Sequence, residues 1–232
     1  MRTLALLGAF VLAAGCAPSG AAEPEAVSFE TPDGGVVHAD RYGEGEHWVV
    51  LVHGARFDKE SWEAQARALA EAGLTALAID LRGYGLSRPG PGTGDGGRLD
   101  EGYPLDVLAA VRFAREEGAS EVSVMGGSLG GWASARAAVE AEPGEIDRLV
   151  LLAASPIERP ERMRGRKLFV VARDDTRGEG VPRLPEIRDQ YERARNPKEL
   201  LVLEGSAHAQ HLFGTGEGER LMAEIVRFLL AP

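Results

Sequence analysis

The chain has 232 residues, of which 44% are hydrophobic and 27% are charged, a composition typical of a soluble globular protein. Its length suits one domain with a single sizeable core. The formal net charge of −10 argues against a nucleic-acid partner, because affinity for polyphosphates depends on neutralising phosphates with Lys and Arg.

The first 15 residues have the layout of a secretory signal peptide. Arg2 gives a positive start, residues 4–12 form an uncharged apolar run, and residues 13–15 are small. This run is too short for a membrane-spanning helix that stays in place. We therefore expect residues 1–15 to be removed, residues 16–25 to form a flexible tether, and residues 26–232 to form one folded domain.

Cys16 is the single cysteine and directly follows the small residues. This junction resembles a bacterial lipobox, although Ala13 stands where that motif usually has leucine. The resemblance implies cleavage before Cys16 and attachment of diacylglyceride to its thiol. The alternative is a soluble secreted protein with a chance cysteine, but an exported protein with one cysteine cannot form an intramolecular disulfide. We expect an exported protein that is anchored to a bacterial membrane at the cell envelope.

The remaining chain alternates β-rich runs with helical patterns. Strands are predicted over residues 27–31, 36–42, 48–52, 74–79, 121–125, 148–154, 167–172 and 200–203. Helices are predicted over residues 59–72, 103–117, 129–140, 184–195 and 219–230. The alternation indicates a mostly parallel sheet that is covered by helices on both faces. Functional side chains of such sheets lie at the carboxyl ends of the strands.

A Gly-x-Ser-x-Gly pattern, residues 126–130, follows the predicted strand 121–125 and precedes a helix. In this strand-to-helix context the turn presents the hydroxyl of Ser128 above the sheet as a nucleophile. The helix N-terminus adds unpaired N–H groups near the developing oxyanion. The alternative is a glycine-rich turn with an N-capping serine.

Two further segments follow earlier strands: His53-Gly54-Ala55, and residues 80–87 with the pattern D-x-R-G-x-G-x-S. Together with the serine turn, and in the same order, they resemble motifs of the α/β-hydrolase superfamily. The resemblance covers nearly all of residues 27–232. It implies an α/β-hydrolase fold with a central sheet of about eight strands, and an oxyanion hole made by the backbone N–H groups of Ala55 and Leu129. In that family the catalytic histidine comes late in the chain, so His53 is expected to be structural.

The resemblance also implies the chain order serine, acid, histidine. Asp175, after the strand 167–172, is the expected acid, and its neighbour Asp174 is the alternative. His208 lies in a loop after the last strand that resembles the family's G-x-x-H loop, and His211 is the alternative base.

These residues predict hydrolysis of a small carboxylic ester through an acyl-enzyme intermediate. A peptidase, an amidase, a thioesterase or a non-catalytic binding protein on the same scaffold remain alternatives. The chemistry needs no metal or organic cofactor, and no Cys/His spacing indicates a metal site. Only twelve residues, 155–166, separate two predicted strands where many relatives insert a lid, so we expect an open site without a lid domain.

Overall fold

The computed structural model describes residues 23–91 and 99–232. The predicted signal peptide, Cys16 and most of the predicted tether lie outside these residues. The first strand begins at Glu25, one residue before the expected start of the domain. Among the helices in this part of the chain, none combines the length and the apolar composition that a membrane span requires.

The described residues form ten strands and five α-helices. The strands are β1 (Glu25–Glu30), β2 (Val36–Tyr42), β3 (His47–Val52), β4 (Thr75–Ile79), β5 (Glu121–Gly127), β6 (Arg148–Leu152), β7 (Arg166–Ala172), β8 (Thr176–Arg177), β9 (Val181–Pro182) and β10 (Lys198–Leu203). The helices are α1 (Glu63–Glu71), α2 (Leu99–Glu116), α3 (Leu129–Glu140), α4 (Leu184–Arg193) and α5 (Gly218–Leu230).

Eight of the strands form one sheet in the order β1-β2-β4-β3-β5-β6-β7-β10. The pairs β1–β2 and β2–β4 are antiparallel, and every pair from β4 to β10 is parallel. The predicted mostly parallel sheet of eight strands is therefore confirmed. The carboxyl ends of β3, β5, β7 and β10 lie at one edge, which brings together segments far apart in the sequence.

Several predicted boundaries differ from the structure for local reasons. Helix α2 already extends back to Leu99 and contains Pro104, whereas the sequence suggested a start at Tyr103. Strand β6 ends at Leu152 rather than Ala154, because Ala153 has a φ of 47°. Helix α4 ends at Arg193, since Ala194 has an extended backbone.

Alternating side chains of the central strands divide the core into two layers. In β3, Val50 and Val52 face the layer that packs against α2, α3 and α4, whereas Val49 and Leu51 face the layer that packs against α1 and α5. All four are fully buried. This near-continuous apolar run is typical of a parallel strand that is covered on both faces.

The D-x-R-G-x-G-x-S segment forms a structural turn after β4. Arg82 is buried and donates hydrogen bonds to Asp106 on α2 and to Asp33 in the β1–β2 turn. Asp80 accepts the backbone N–H of Lys59 at 2.8 Å. A side chain at Gly85 would overlap the Asp80 carboxylate. The segment thus fixes the loop after β4 to α2 and to the chain that follows β3.

The connection between β6 and β7 contains only a short 3-10 turn, Pro160–Arg162. No lid is inserted there, as the twelve-residue spacing predicts. The edge of the sheet above Ser128 is therefore not covered by this segment.

Candidate active site

Ser128 lies at a strained turn between β5 and α3. Its backbone has φ 52° and ψ −112°, outside the usual regions for a residue with a side chain. A Cβ atom at Gly126 would overlap the carbonyl oxygen of Gly130, and one at Gly130 would overlap that of Val52. Only glycine fits at these two positions, so the pattern read from the sequence is a steric requirement of the turn.

The structure brings Ser128, His208 and Asp175 into one hydrogen-bonded chain. His208 Nε2 lies 2.9 Å from Ser128 Oγ, and His208 Nδ1 lies 2.7 Å from Asp175 Oδ2. Asp175 is 1% exposed, whereas the His208 side chain is 30% exposed. With an ionised Asp175 as acceptor, Nδ1 carries the proton and Nε2 is free to accept the serine proton.

The two alternative residues lie elsewhere. Asp174 is exposed, and its backbone N–H donates a hydrogen bond to the carbonyl oxygen of Gly205. Its neighbour Asp175 is the aspartate that is hydrogen-bonded to His208. His211 is exposed, and its ring packs near that of Phe57 at 5.2 Å between centroids. The geometry thus places the two preferred residues, and neither alternative, in the chain that begins at Ser128.

The two backbone groups predicted for the oxyanion hole are available as donors. Within the described part of the chain, neither Ala55 N–H nor Leu129 N–H donates to a protein acceptor. Leu129 is the first residue of α3, where N–H groups lack a partner within the helix. Ala55 follows β3, which lies beside β5 in the sheet. Their role in catalysis stays a prediction.

The ring of His53 forms hydrogen bonds with backbone groups, the structural role that was expected of it. Its Nδ1 lies 2.9 Å from the carbonyl oxygen of Gly54, and its Nε2 accepts the N–H of Leu81 at 3.2 Å. Burial lowers the pKa of His53, which keeps its ring neutral. Both ring nitrogens are therefore occupied and neither is available to Ser128.

Gln210 is a buried polar residue of the site that sequence reasoning missed. Its Oε1 accepts the N–H of Gly54 at 2.8 Å, and its Nε2 donates to Ser61 Oγ at 2.6 Å. Gln210 follows His208 by two residues and Gly54 precedes Ala55 by one. This side chain therefore joins the histidine loop to the segment with the expected oxyanion donor. The only sequence signal was a glutamine close to the histidine.

The surface around Ser128 has two adjacent hollows that share one lining residue, Ser155. A hollow of about 280 Å³ is lined by Asp100, Ser128, Leu129, Trp132 and Ser155. A larger open cleft of about 590 Å³ begins at Ser155, which both hollows share, and continues toward α4. The small hairpin β8–β9, too short for the sequence patterns to predict, lies between Asp175 and α4.

The described residues, 23–91 and 99–232, contain no cluster of His, Cys, Asp and Glu side chains that could hold a metal ion. The groups near Ser128 are instead a hydroxyl, an imidazole, a carboxylate and backbone N–H groups. These suit acid–base and nucleophilic chemistry.

Comparisons with known proteins agree with the fold. A family model described as the alpha/beta hydrolase fold matches residues 47–185, more than half of the chain. An esterase from Pyrococcus furiosus is similar in structure, with a TM-score of 0.70 at 18% identity, over 89% of this chain and 92% of that chain.

Two curated relatives are similar over about half of the chain. The dihydrolipoyllysine-residue acetyltransferase component of the acetoin cleaving system of Cupriavidus necator is 36% identical over 118 residues, 50% of this chain and 29% of its own length. N-formylmaleamate deformylase of Pseudomonas putida is 33% identical over 127 residues, 54% of this chain and 43% of its own length. The chain spans less than half the length of the curated relatives that it matches.

The predicted α/β-hydrolase resemblance is thereby confirmed at the level of family and fold. The eight-stranded sheet, the serine turn after β5 and the family model all lead to the same assignment. This chain belongs to the alpha/beta hydrolase fold family.

Proposed function

We propose that the protein is a serine hydrolase that cleaves small carboxylic esters through an acyl-enzyme intermediate. The observation that carries the proposal is the pair of short hydrogen bonds, 2.9 Å and 2.7 Å, that link Ser128 to His208 and His208 to Asp175. A nucleophile, a base and a group that orients the base form the arrangement required for nucleophilic acyl transfer.

In the first half of the reaction His208 Nε2 takes the proton of Ser128 as Oγ attacks the acyl carbon. Buried Asp175 accepts the Nδ1–H bond, holds the ring in the required tautomer and stabilises the imidazolium. The carbonyl oxygen becomes an oxyanion that receives the N–H groups of Ala55 and Leu129. Loss of one such donor typically costs about 3 kcal/mol of transition-state stabilisation.

The tetrahedral intermediate then collapses. The imidazolium of His208 protonates the leaving alcohol, and an ester of Ser128 with the acyl group remains. A water molecule gives its proton to His208 Nε2, attacks the acyl carbon and releases the carboxylic acid, after which Ser128 regains its proton. The net reaction converts one ester and one water molecule into a carboxylic acid and an alcohol, and the enzyme is regenerated.

The open surroundings of Ser128 support a small ester as the substrate. The hollow beside Ser128, about 280 Å³, is small, and the short β6–β7 connection leaves it uncovered. One solved structure with the same fold is that of an esterase from Pyrococcus furiosus. Such a site holds the acyl part of a small ester without a closed cavity.

The proposal is tested by turnover of p-nitrophenyl esters from acetate to octanoate. Ser128→Ala is expected to lose activity by about a millionfold, because loss of a triad serine removes the covalent route. Ser206→Ala is a matched control, since Ser206 is an exposed serine of the loop before His208.

Two further comparisons pair a proposed catalytic residue with a nearby residue of the same type. Asp175→Asn and His208→Ala are expected to lose most of the activity, whereas Asp174→Asn and His211→Ala retain it. Ester turnover by Ser128→Ala at the wild-type rate contradicts the proposal. Turnover of thioesters or anilides, but of no oxygen ester, would redirect it to a thioesterase or an amidase.

We also propose that the mature protein is exported and held at a bacterial membrane by lipid on Cys16. The support is the sequence of residues 1–16 and the single cysteine. More than one acyl chain gives a stable anchor. Metabolic labelling with a fatty acid is expected to mark the wild type but not Cys16→Ala. Equal labelling of both proteins contradicts the anchor.

A further inference from the structure

The cleft that adjoins the Ser128 hollow has a specific charge arrangement. It is lined by Ser155, Pro156, Arg177, Arg183, Pro185, Glu186 and Asp189. Ser155 also lines the hollow beside Ser128, so a ligand that extends from Ser128 past Ser155 enters this cleft. A substrate that fills both hollows would place the part beyond its scissile bond against this wall.

Among the charged residues of this wall, Arg183 is the one whose side chain makes no hydrogen bond to the described residues. Its side chain is 15% exposed, and its Nε lies 3.7 Å from Asp175 Oδ1, beyond hydrogen-bond distance. Within the described residues its Nε is buried without an acceptor, and its terminal nitrogens donate no hydrogen bond to protein. A largely buried guanidinium with unused donors is costly unless a ligand satisfies them.

The other charged groups of the cleft have partners of opposite sign. Arg177 lies 2.5 Å from Glu186, and Asp189 lies 3.4 Å from Arg193. Within each of these surface pairs, the two opposite charges neutralise each other. Within residues 23–91 and 99–232, Asp175 is the one carboxylate within 4 Å of the Arg183 side chain, and His208 takes its other oxygen at 2.7 Å. Arg183 is thus the cation of the cleft whose side-chain donors make no hydrogen bond to the described residues, so they remain for an anion.

We propose that the substrate bears a carboxylate beyond its scissile ester bond and that Arg183 binds this carboxylate. The inference rests on the proposed ester hydrolysis and adds the substrate class. A guanidinium has donors in a planar fork that matches the two oxygens of a carboxylate, and such charge-assisted bonds are stronger than neutral ones. With the carboxylate held beside Ser155, the ester carbonyl reaches Ser128 in the adjoining hollow.

The test compares matched esters with and without the charge. Mono-p-nitrophenyl glutarate and p-nitrophenyl valerate have acyl chains of equal length, and 4-acetoxybenzoate and its methyl ester differ only in the leaving group. Each kcat/KM is divided by the uncatalysed rate in the same buffer. The wild type is expected to prefer the charged ester by about tenfold or more in one of the pairs, as for a hydrogen-bonded ion pair.

Variants of the two cleft arginines show which of them causes the preference for the charged ester. Arg183→Gln is expected to reduce the charged-to-neutral ratio by about tenfold, and Arg183→Lys to keep part of it, because the positive charge remains. Arg177→Gln is the matched control: it removes a cation from the same cleft, but one already paired with Glu186. Its ratio is expected to stay near that of the wild type. Added salt lowers the preference of the wild type.

Three results contradict the inference. One is a wild type with no preference in either pair. Another is an Arg183→Gln enzyme in which both esters slow equally, which would make Arg183 only a counter-ion of Asp175. The third is absence of turnover for all four esters, which contradicts the proposed ester hydrolysis and the inference with it. Turnover without preference contradicts the carboxylate site alone.

Discussion

Replacement of Gln210 by leucine tests how the expected oxyanion segment is positioned, separately from the proposed triad of Ser128, His208 and Asp175. Gln210 is 8% exposed and its side chain spans from Gly54 to Ser61 with hydrogen bonds of 2.8 Å and 2.6 Å. Leucine has a similar size but no polar atom. Gln210→Leu therefore removes both bonds and leaves Ser128, His208 and Asp175 chemically unchanged.

The magnitude follows from the groups that lose a partner. Gly54 N–H is buried and loses its acceptor, and an unsatisfied buried donor costs about 1–3 kcal/mol of stability. Ser61 is partly exposed, so water can replace the lost amide. Because Ala55 follows Gly54, release of this anchor also frees the expected oxyanion donor. A misplacement of about 1 Å near reacting groups can cost about a hundredfold in rate.

The assays are urea unfolding for stability and initial-rate kinetics with a p-nitrophenyl ester. We expect Gln210→Leu to lose about 1–3 kcal/mol of unfolding free energy and to lower kcat by tenfold to a hundredfold, with a small change in KM. A boronic acid that mimics the tetrahedral intermediate should bind more weakly in proportion to the loss of kcat.

Ser61→Ala is the matched control because, of the two bonds of Gln210, it removes the outer one and leaves the bond to Gly54 intact. It also removes the exposed bond from Ser61 Oγ to the carbonyl oxygen of Asp58. It is expected to keep most of the activity. A Gln210→Leu enzyme with wild-type kcat and boronate affinity, but with reduced stability, would refute the coupling of Gln210 to the oxyanion segment. The bond would then stabilise the fold only.

Two further predictions concern the frame around the site. Gly130→Ala places a Cβ against a carbonyl oxygen of β3, so urea unfolding should show a loss of about 1–3 kcal/mol or more, whereas Gly214→Ala, where a Cβ meets open space, should be near neutral. Hydrogen bonds from Arg82 lower the pKa of Asp33 from 3.8 to about 2. The folded state therefore gains about 2 kcal/mol from this carboxylate above pH 4, and the gain is lost as the pH falls toward 2. The stability difference between wild type and Asp33→Asn should shrink over that interval; a difference independent of pH would contradict the role of this ion pair.

The sequence predicted the parts of the site that depend on local patterns. Gly126 and Gly130 signal the turn because backbone atoms occupy the space of any side chain there. The strands that precede Ser128, Asp175 and His208 are short apolar runs, and parallel pairing brings their carboxyl ends to one edge. The fold class and these three positions therefore follow from residues that are close to each strand end.

Sequence reasoning could not identify contacts that depend on the exact three-dimensional arrangement. Asp174 and Asp175 are adjacent aspartates, and only the turn after β7 decides which one faces His208. Gln210 and Gly54 are 156 residues apart, so no local pattern predicts their bond. The contact of Arg183 with Asp175 depends on the β8–β9 hairpin, whose strands of two residues are too short to show an alternating pattern.

The most direct test of the proposed chemistry locates the covalent adduct of a fluorophosphonate probe by mass spectrometry of the digested protein. We expect one adduct, on Ser128, in the wild type, and a strongly slowed reaction in His208→Ala, because the serine then lacks its base. Labelling that persists in Ser128→Ala, or an adduct confined to another residue, would contradict Ser128 as the nucleophile.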